Sequence, residues 1–190
     1  MRKTFVIAIL YTLVTTVLLG IAYPLVVTAI AQITMPNKAD GQLITQDGHI
    51  LGSAIIGQSF TSDRYFHSRP SAAGNGYDAT SSGGSNLGPT NKKLVDRIDA
   101  DVAAYQKRNP GKDVPIDLVT ASASGLDPDI SPAAALYQVP RVAAARNLSK
   151  DAIESMVQAH IRGRQFGVFG EPHVNVLELN LALDGSSNTK

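Results

Sequence analysis

The chain has 190 residues, 17 basic against 16 acidic side chains, and no cysteine. That length accommodates one membrane anchor plus one domain of roughly 150 residues with a real core. Near-zero net charge argues against a nucleic-acid footprint, and the lack of cysteine excludes disulfides, thiolate metal sites and a cysteine nucleophile, so packing alone must hold the fold.

Thr4 to Asn37 carries no charged residue, and Phe5 to Ile33 is almost wholly apolar. About 20 apolar residues cross a hydrocarbon core about 30 Å thick, so residues 1–34 are expected to form a single transmembrane anchor. Arg2 and Lys3 precede it, whereas Lys38, the first charge after it, is balanced by Asp40 and Asp47. Positive charge is retained on the cytoplasmic side, which predicts a cytoplasmic N-terminus and a periplasmic domain over 35–190. The competing reading is a cleaved signal peptide ending at Ala29-Ile30-Ala31, but signal cores are shorter than this apolar run. Along the helix Ala8, Thr12, Thr16, Gly20, Pro24 and Thr28 recur at intervals of four. Small residues let a second helix approach and threonine hydroxyls bond across the contact, so Thr12, Thr16, Gly20 and Pro24 are candidate partner contacts; the alternative is that such residues are simply common in spanning helices. Pro24 is expected to kink the helix near Gly20.

Beyond the anchor, Leu43-Ile44 and Leu51 to Ile56 are expected as short strands around the turn pair Asp47-Gly48. Residues 71–89 then form a long Gly/Ser-rich loop with Asp78 as its only charge. A loop of that length is functional or disordered, and this one is expected to order on assembly. Thr90 reads as the N-cap of a helix to about Asn109, with Leu94, Ile98, Val102 and Tyr105 on one face. Val114 to Val119 reads as a strand. Ser131-Pro132 opens an alanine-rich helix that Pro140 breaks or bends, and Ser149 caps another to about Arg162 with Ile153, Val157 and Ile161 inward. Finally, Leu177, Leu179, Leu181 and Leu183 alternate with Glu178, Asn180 and Ala182, the period of a half-buried strand over Val174 to Leu183. The fold class is therefore α+β: one spanning helix followed by a mixed α/β domain.

Catalytic chemistry is hard to find in these residues. His67, His160 and His173, with the serines and Asp63, Asp78 and Asp129, supply the residue types of a nucleophilic triad, yet no Gly-x-Ser-x-Gly elbow occurs and no metal-ligand spacing is present. Ser82-Gly83-Gly84-Ser85-Asn86 is glycine-rich but lacks the Gly-x-x-x-x-Gly-Lys order of a phosphate loop. Arg69, between Ser68 and Pro70, is the candidate buried or interface cation, with pinning of the loop as the alternative.

Gly20-Ile21-Ala22-Tyr23-Pro24, Tyr65-Phe66-His67-Ser68-Arg69-Pro70, Ser82 to Pro89, Ala121 to Pro128 and Asn175 to Asp184 together resemble the C-subunit family of the Kdp potassium-transporting ATPase, in order and spacing, across nearly the whole chain. The resemblance implies a non-catalytic accessory subunit of an ATP-driven potassium import complex in the bacterial inner membrane. Its implied partners are a channel-like potassium-binding subunit, a P-type ATPase catalytic subunit and a small single-span subunit. No cofactor of its own is implied; ATP and potassium belong to the complex. The chain lacks the Asp-Lys-Thr-Gly phosphorylation motif of a P-type pump. The family is described as raising the ATP affinity of the catalytic subunit, with Ser82, Gly83, Gly84, Ser85 and Asn86 likened to a nucleotide-contacting signature. The predicted topology places that stretch outside the membrane, away from cytoplasmic ATP, so indirect coupling is expected, with Arg69 and Asn86 contacting partner subunits. An anchored serine hydrolase and a free ligand-binding protein are the alternatives from other classes.

Overall fold

The computed structural model describes residues 1–187; residues 188–190, the end of the expected 35–190 domain, lie outside them. The chain divides into two units, Met1–Leu51 and Gly52 onward. In the first, α1 (Arg2–Thr15), a π-helical stretch (Thr16–Ala22) and α2 (Tyr23–Thr34) follow one another as one helix long and apolar enough to cross a membrane. None of its residues is buried. The disturbance expected near Gly20 is not a sharp kink at one residue but this π-helical stretch, in which the Tyr23 amide donates to Leu18 five residues back. Pro24 has no amide to continue the ladder, and a π turn is one way to absorb that break.

A short helix α3 (Pro36–Ala39) leads into a two-stranded hairpin, β1 (Leu43–Gln46) and β2 (His49–Ser53). Asp47 and Gly48 both take positive φ, 51° and 78°, as a tight two-residue hairpin turn requires. The second strand stops at Ser53 rather than Ile56, because the Ile56 amide turns back to the Ser53 carbonyl at 3.3 Å.

The second unit contains α4 (Lys92–Arg108), a 3₁₀ turn (Ile116–Leu118), β3 (Asp129–Ile130), α5 (Pro132–Arg146), α6 (Lys150–Ala159), β4 (Ile161–Arg162), β5 (His173–Asn175) and α7 (Val176–Ser187). The mixed helix and strand class is as expected, but several elements differ. Asn91, not Thr90, caps α4: its Oδ1 accepts from the Lys93 amide at 2.9 Å. Where Val114 to Val119 was expected as a strand, the Leu118 amide donates to Pro115 and Asp117 is buried, accepting from the Ser131 amide at 2.6 Å. Pro140 neither breaks nor ends α5. Helix α6 stops at Ala159, with His160 as its C-cap, and Ile161 joins the sheet instead.

The largest correction is at the C-terminal end. Only His173–Asn175 is a strand, central in a three-stranded antiparallel sheet of order β3-β5-β4; Val176 onward is helical. The alternating leucines mislead because Asn180 belongs to the core. Val176, Leu179, Asn180 and Leu183 are all essentially buried, and their spacing of three, four and seven is the stripe of a helix. Polarity hid that stripe. Around it Phe66, Leu118, Ile130, Val142, Ile153, Val157 and Val174 complete one core. The alanines of α5 (Ala134, Ala135 and Ala143, all buried) present little bulk where that helix meets the rest of the core.

Candidate functional site

Three separate segments meet in one seam of the second unit. Arg69 donates through Nη1 to Asp127 Oδ2 at 2.9 Å and through Nε to the Thr120 carbonyl at 3.3 Å. Ser71 Oγ donates to the Gly125 carbonyl at 2.6 Å and accepts from the amides of Ala73 and Tyr77, while the Tyr77 hydroxyl donates to the Arg69 carbonyl. Further along, the Gly83 amide and the Ser82 hydroxyl both donate to the Ser124 carbonyl, at 2.8 and 3.0 Å. Gly125 sits at φ 67°, and a Cβ there would stand 2.7 Å from both the Ala73 amide nitrogen and the Gly83 carbonyl oxygen. Only glycine satisfies that conformation and that clearance.

Within the stretch 71–89 expected to order on assembly, Ser71, Tyr77, Ser82 and Gly83 find hydrogen-bond partners in the chain itself. Of the nucleotide-related candidates, Ser82 and Gly83 spend hydrogen-bonding groups on Ser124, and Gly84 lies against the Ala123 carbonyl. Ser85 and Asn86 are exposed, Asn86 at φ 51°. A phosphate cradle needs backbone amides aimed outward; the Gly83 amide is committed inward. Arg69, the expected buried or interface cation, keeps about a quarter of its side chain exposed, at 24%. Thr12, in α1, Thr16 and Gly20, in the π-helical stretch, and Pro24, the second residue of α2, are all exposed in the first unit.

The far end of the Tyr65 to Pro70 motif is clamped by residues the sequence reading passed over. Asn180 Oδ1 accepts from the Phe66 amide at 2.8 Å and its Nδ2 donates to the Phe66 carbonyl at 3.0 Å. Gln138 repeats the device on His67, accepting from its amide and donating to its carbonyl. Among the described residues the most buried cation is Arg146, whose side chain is 1% exposed. It donates to the carbonyls of Arg64 and Leu183 and to Asp184 Oδ1, and it lies over the Tyr65 ring at 5.0 Å. Asp184 also accepts from the Tyr65 hydroxyl at 2.9 Å, a bond that raises the Tyr65 pKa. Asn180 could have been found by asking which residue sits four after Val176 and three before Leu183; nothing in the sequence around Gln138 or Arg146 marks them.

The histidines bond to carbonyls. His67 Nε2 is 3.1 Å from the Ser62 carbonyl, His160 Nδ1 2.8 Å from that of Met156, and His173 Nδ1 2.9 Å from that of Glu171. Each such contact requires the ring nitrogen to be the donor. Among the described residues none of the three is hydrogen-bonded to a serine hydroxyl. Burial, reinforced by Arg141, holds the His67 pKa below its ordinary value. Burial also raises that of Asp129, partly offset by His173, whose Nε2 is 4.0 Å from Oδ2. No group of three or more His, Asp or Glu side chains that could hold a metal ion is gathered among the described residues.

A chain with one membrane-length helix and one α/β unit tied together by inward-facing motif residues is the class these observations define. Residues 5–185 match the family described as K+-transporting ATPase, c chain (KdpC). The chain is 58% identical over 186 residues to the potassium-transporting ATPase KdpC subunit of Koribacter versatilis, covering 98% of this chain and 96% of that one. It is 55% identical to the corresponding subunit of Acidobacterium capsulatum over 93% of this chain and 95% of that one. For that of Rhodopseudomonas palustris strain BisB18 the identity is 54%, with 94% and 96% covered. The chain belongs to the KdpC family, the C subunit of the Kdp potassium-transporting ATPase.

Proposed function

We propose that the chain is a non-catalytic accessory subunit that stabilises assembly of an ATP-driven potassium import complex and modulates its ATPase subunit without touching nucleotide. Its helix anchors it as a single span in the bacterial inner membrane, N-terminus in the cytoplasm, with the bulk of the chain periplasmic. The α/β unit caps a channel-like potassium-binding subunit, and the ridge of Thr12, Thr16, Gly20 and Pro24 packs against a neighbouring span of the complex. The catalytic P-type subunit and a small single-span subunit complete the assembly; ATP and potassium are their ligands, and this chain holds no cofactor. Arg69 pins the loop that presents Asn86 to a partner.

The observation that carries this reading is the inward commitment of the Ser82 and Gly83 groups to Ser124. Coupling between the outside unit and the ATP site is then a free energy shared through the complex. Reconstituting the complex with and without the full chain tests it. Potassium-stimulated ATP hydrolysis should fall without the chain, and ATP should not bind saturably to the purified chain. Saturable ATP binding to the chain alone, lost on Ser82→Ala, would restore direct contact.

A further inference from the structure

Away from the seam, two arginines share one acid. Arg108 ends α4 and Arg141 lies in α5; their Nη1 atoms stand 3.6 and 3.7 Å from the same Asp63 Oδ1. Both separations exceed a charge-assisted hydrogen bond, and the Asp63 side chain is 62% exposed. Arg141, whose side chain is only 11% exposed, has neutral close partners: the Asp63 carbonyl at 2.8 Å and Gln138 Oε1 at 2.6 Å. A nearly buried guanidinium is thus offset by half of one solvated carboxylate, and burial lowers its pKa to about 10. Buried charge without close compensation is costly. Beyond that 3.6 Å ion pair the Arg108 side chain makes no hydrogen bond among the described residues, which leaves its guanidinium donors largely open. Beside these groups lies a cleft of about 530 Å³ bounded by Asn109, Pro140, Ala144 and Ala145, with Arg64 donating to the Ala145 carbonyl on the same rim.

We propose that this cleft binds an oxyanion, the carboxylate or phosphate group of a small solute, between Arg108 and Arg141, with Asp63 as the internal competitor for the same two cations. The planar guanidinium forks suit either group. The volume exceeds that of a lone phosphate, leaving space for an organic body over Pro140, Ala144 and Ala145. The site uses none of the residues of the 82–86 stretch and is independent of the assembly reading.

The test is equilibrium dialysis of the full chain in detergent against radiolabelled inorganic phosphate at low ionic strength. Arg108→Gln and Asp63→Asn serve as variants, both at side chains about half or more exposed, with circular dichroism confirming that each folds. Wild type should bind saturably, Arg108→Gln should weaken binding about tenfold, and Asp63→Asn should tighten it, because the competing carboxylate is gone. A purely structural Asp63 would not produce that gain. Acetate should displace the phosphate. Absence of saturable binding to both wild type and Asp63→Asn, indifference to Arg108→Gln, or failure of acetate to compete would overturn the proposal.

Discussion

Between Arg2 and Thr34 the helix buries none of its side chains, whereas from Gly52 onward Phe66, Val142, Ile153, Val174 and Leu179 are wholly enclosed and their polar neighbours are paired. An apolar helix so exposed is stable only where lipid or protein covers it. The second unit encloses a core of its own, while Ile116, Phe166, Val168 and Phe169 stay exposed on its surface. Partner contacts therefore mean different things in the two regions: in the helix they supply burial that is missing altogether, and in the α/β unit they add to a core already formed.

Several substitutions sharpen that contrast, beginning with the largest expected effect. Phe66→Ala empties a fully buried site and should cost about 3–5 kcal/mol, read as a lower urea midpoint of the α/β unit. Asn180→Ala removes both bonds to the Phe66 backbone, leaving two buried groups unpaired at about 1–3 kcal/mol each; an unchanged midpoint would mean that water replaces the amide. Gly125→Ala forces a side chain into positive φ against Ala73 and Gly83, at a cost of about 1–3 kcal/mol. It should also raise amide exchange across residues 71–84. By contrast, the exposed Lys92–Asp96 pair on α4, with side chains 86% and 58% exposed, falls in a class where about 0.3–0.5 kcal/mol is usual. The seam outweighs it.

His67 gives a pH-dependent prediction. Its folded pKa lies below the ordinary 6.5, so below that value the unfolded chain binds the extra proton first and stability falls as pH drops toward the folded pKa. His67→Gln should flatten that decline in urea titrations on the acid side of pH 6.5. An identical slope in the variant would assign the decline to other groups. The smallest stability effect is expected for Gly20→Leu: within about 0.5 kcal/mol for the α/β unit, yet with reduced recovery of the assembled complex, because a bulky side chain on the small-residue ridge blocks close helix approach.

The same contrast explains what was legible in the sequence. The membrane-length helix announces itself by composition, and the caps at Ser131 and Ser149 and the Asp47-Gly48 turn follow from local chemistry that the structure bears out. Long-range pairing is where local patterns fail. Asn180 looked like the outward residue of a strand, but across 114 residues it is the clamp on Phe66. Ile116 to Leu118 is apolar enough for a strand, yet Asp117 turns inward to Ser131. The motifs Tyr65 to Pro70, Ser82 to Pro89 and Ala121 to Pro128 were visible as separate segments; that they form one seam depends on Arg69–Asp127 and Ser71–Gly125 contacts spanning more than fifty residues. Arg146 carried no local mark because its partners are backbone carbonyls and Asp184.

Because the chain has no native cysteine, a single Ser85→Cys at the exposed end of the seam reports directly on which side of the membrane the α/β unit lies. In sealed right-side-out spheroplasts carrying the assembled complex, a membrane-impermeant maleimide should label this variant fully before permeabilisation. Labelling that appears only after the membrane is opened would put the Ser82 to Asn86 stretch in the cytoplasm with ATP and contradict the account.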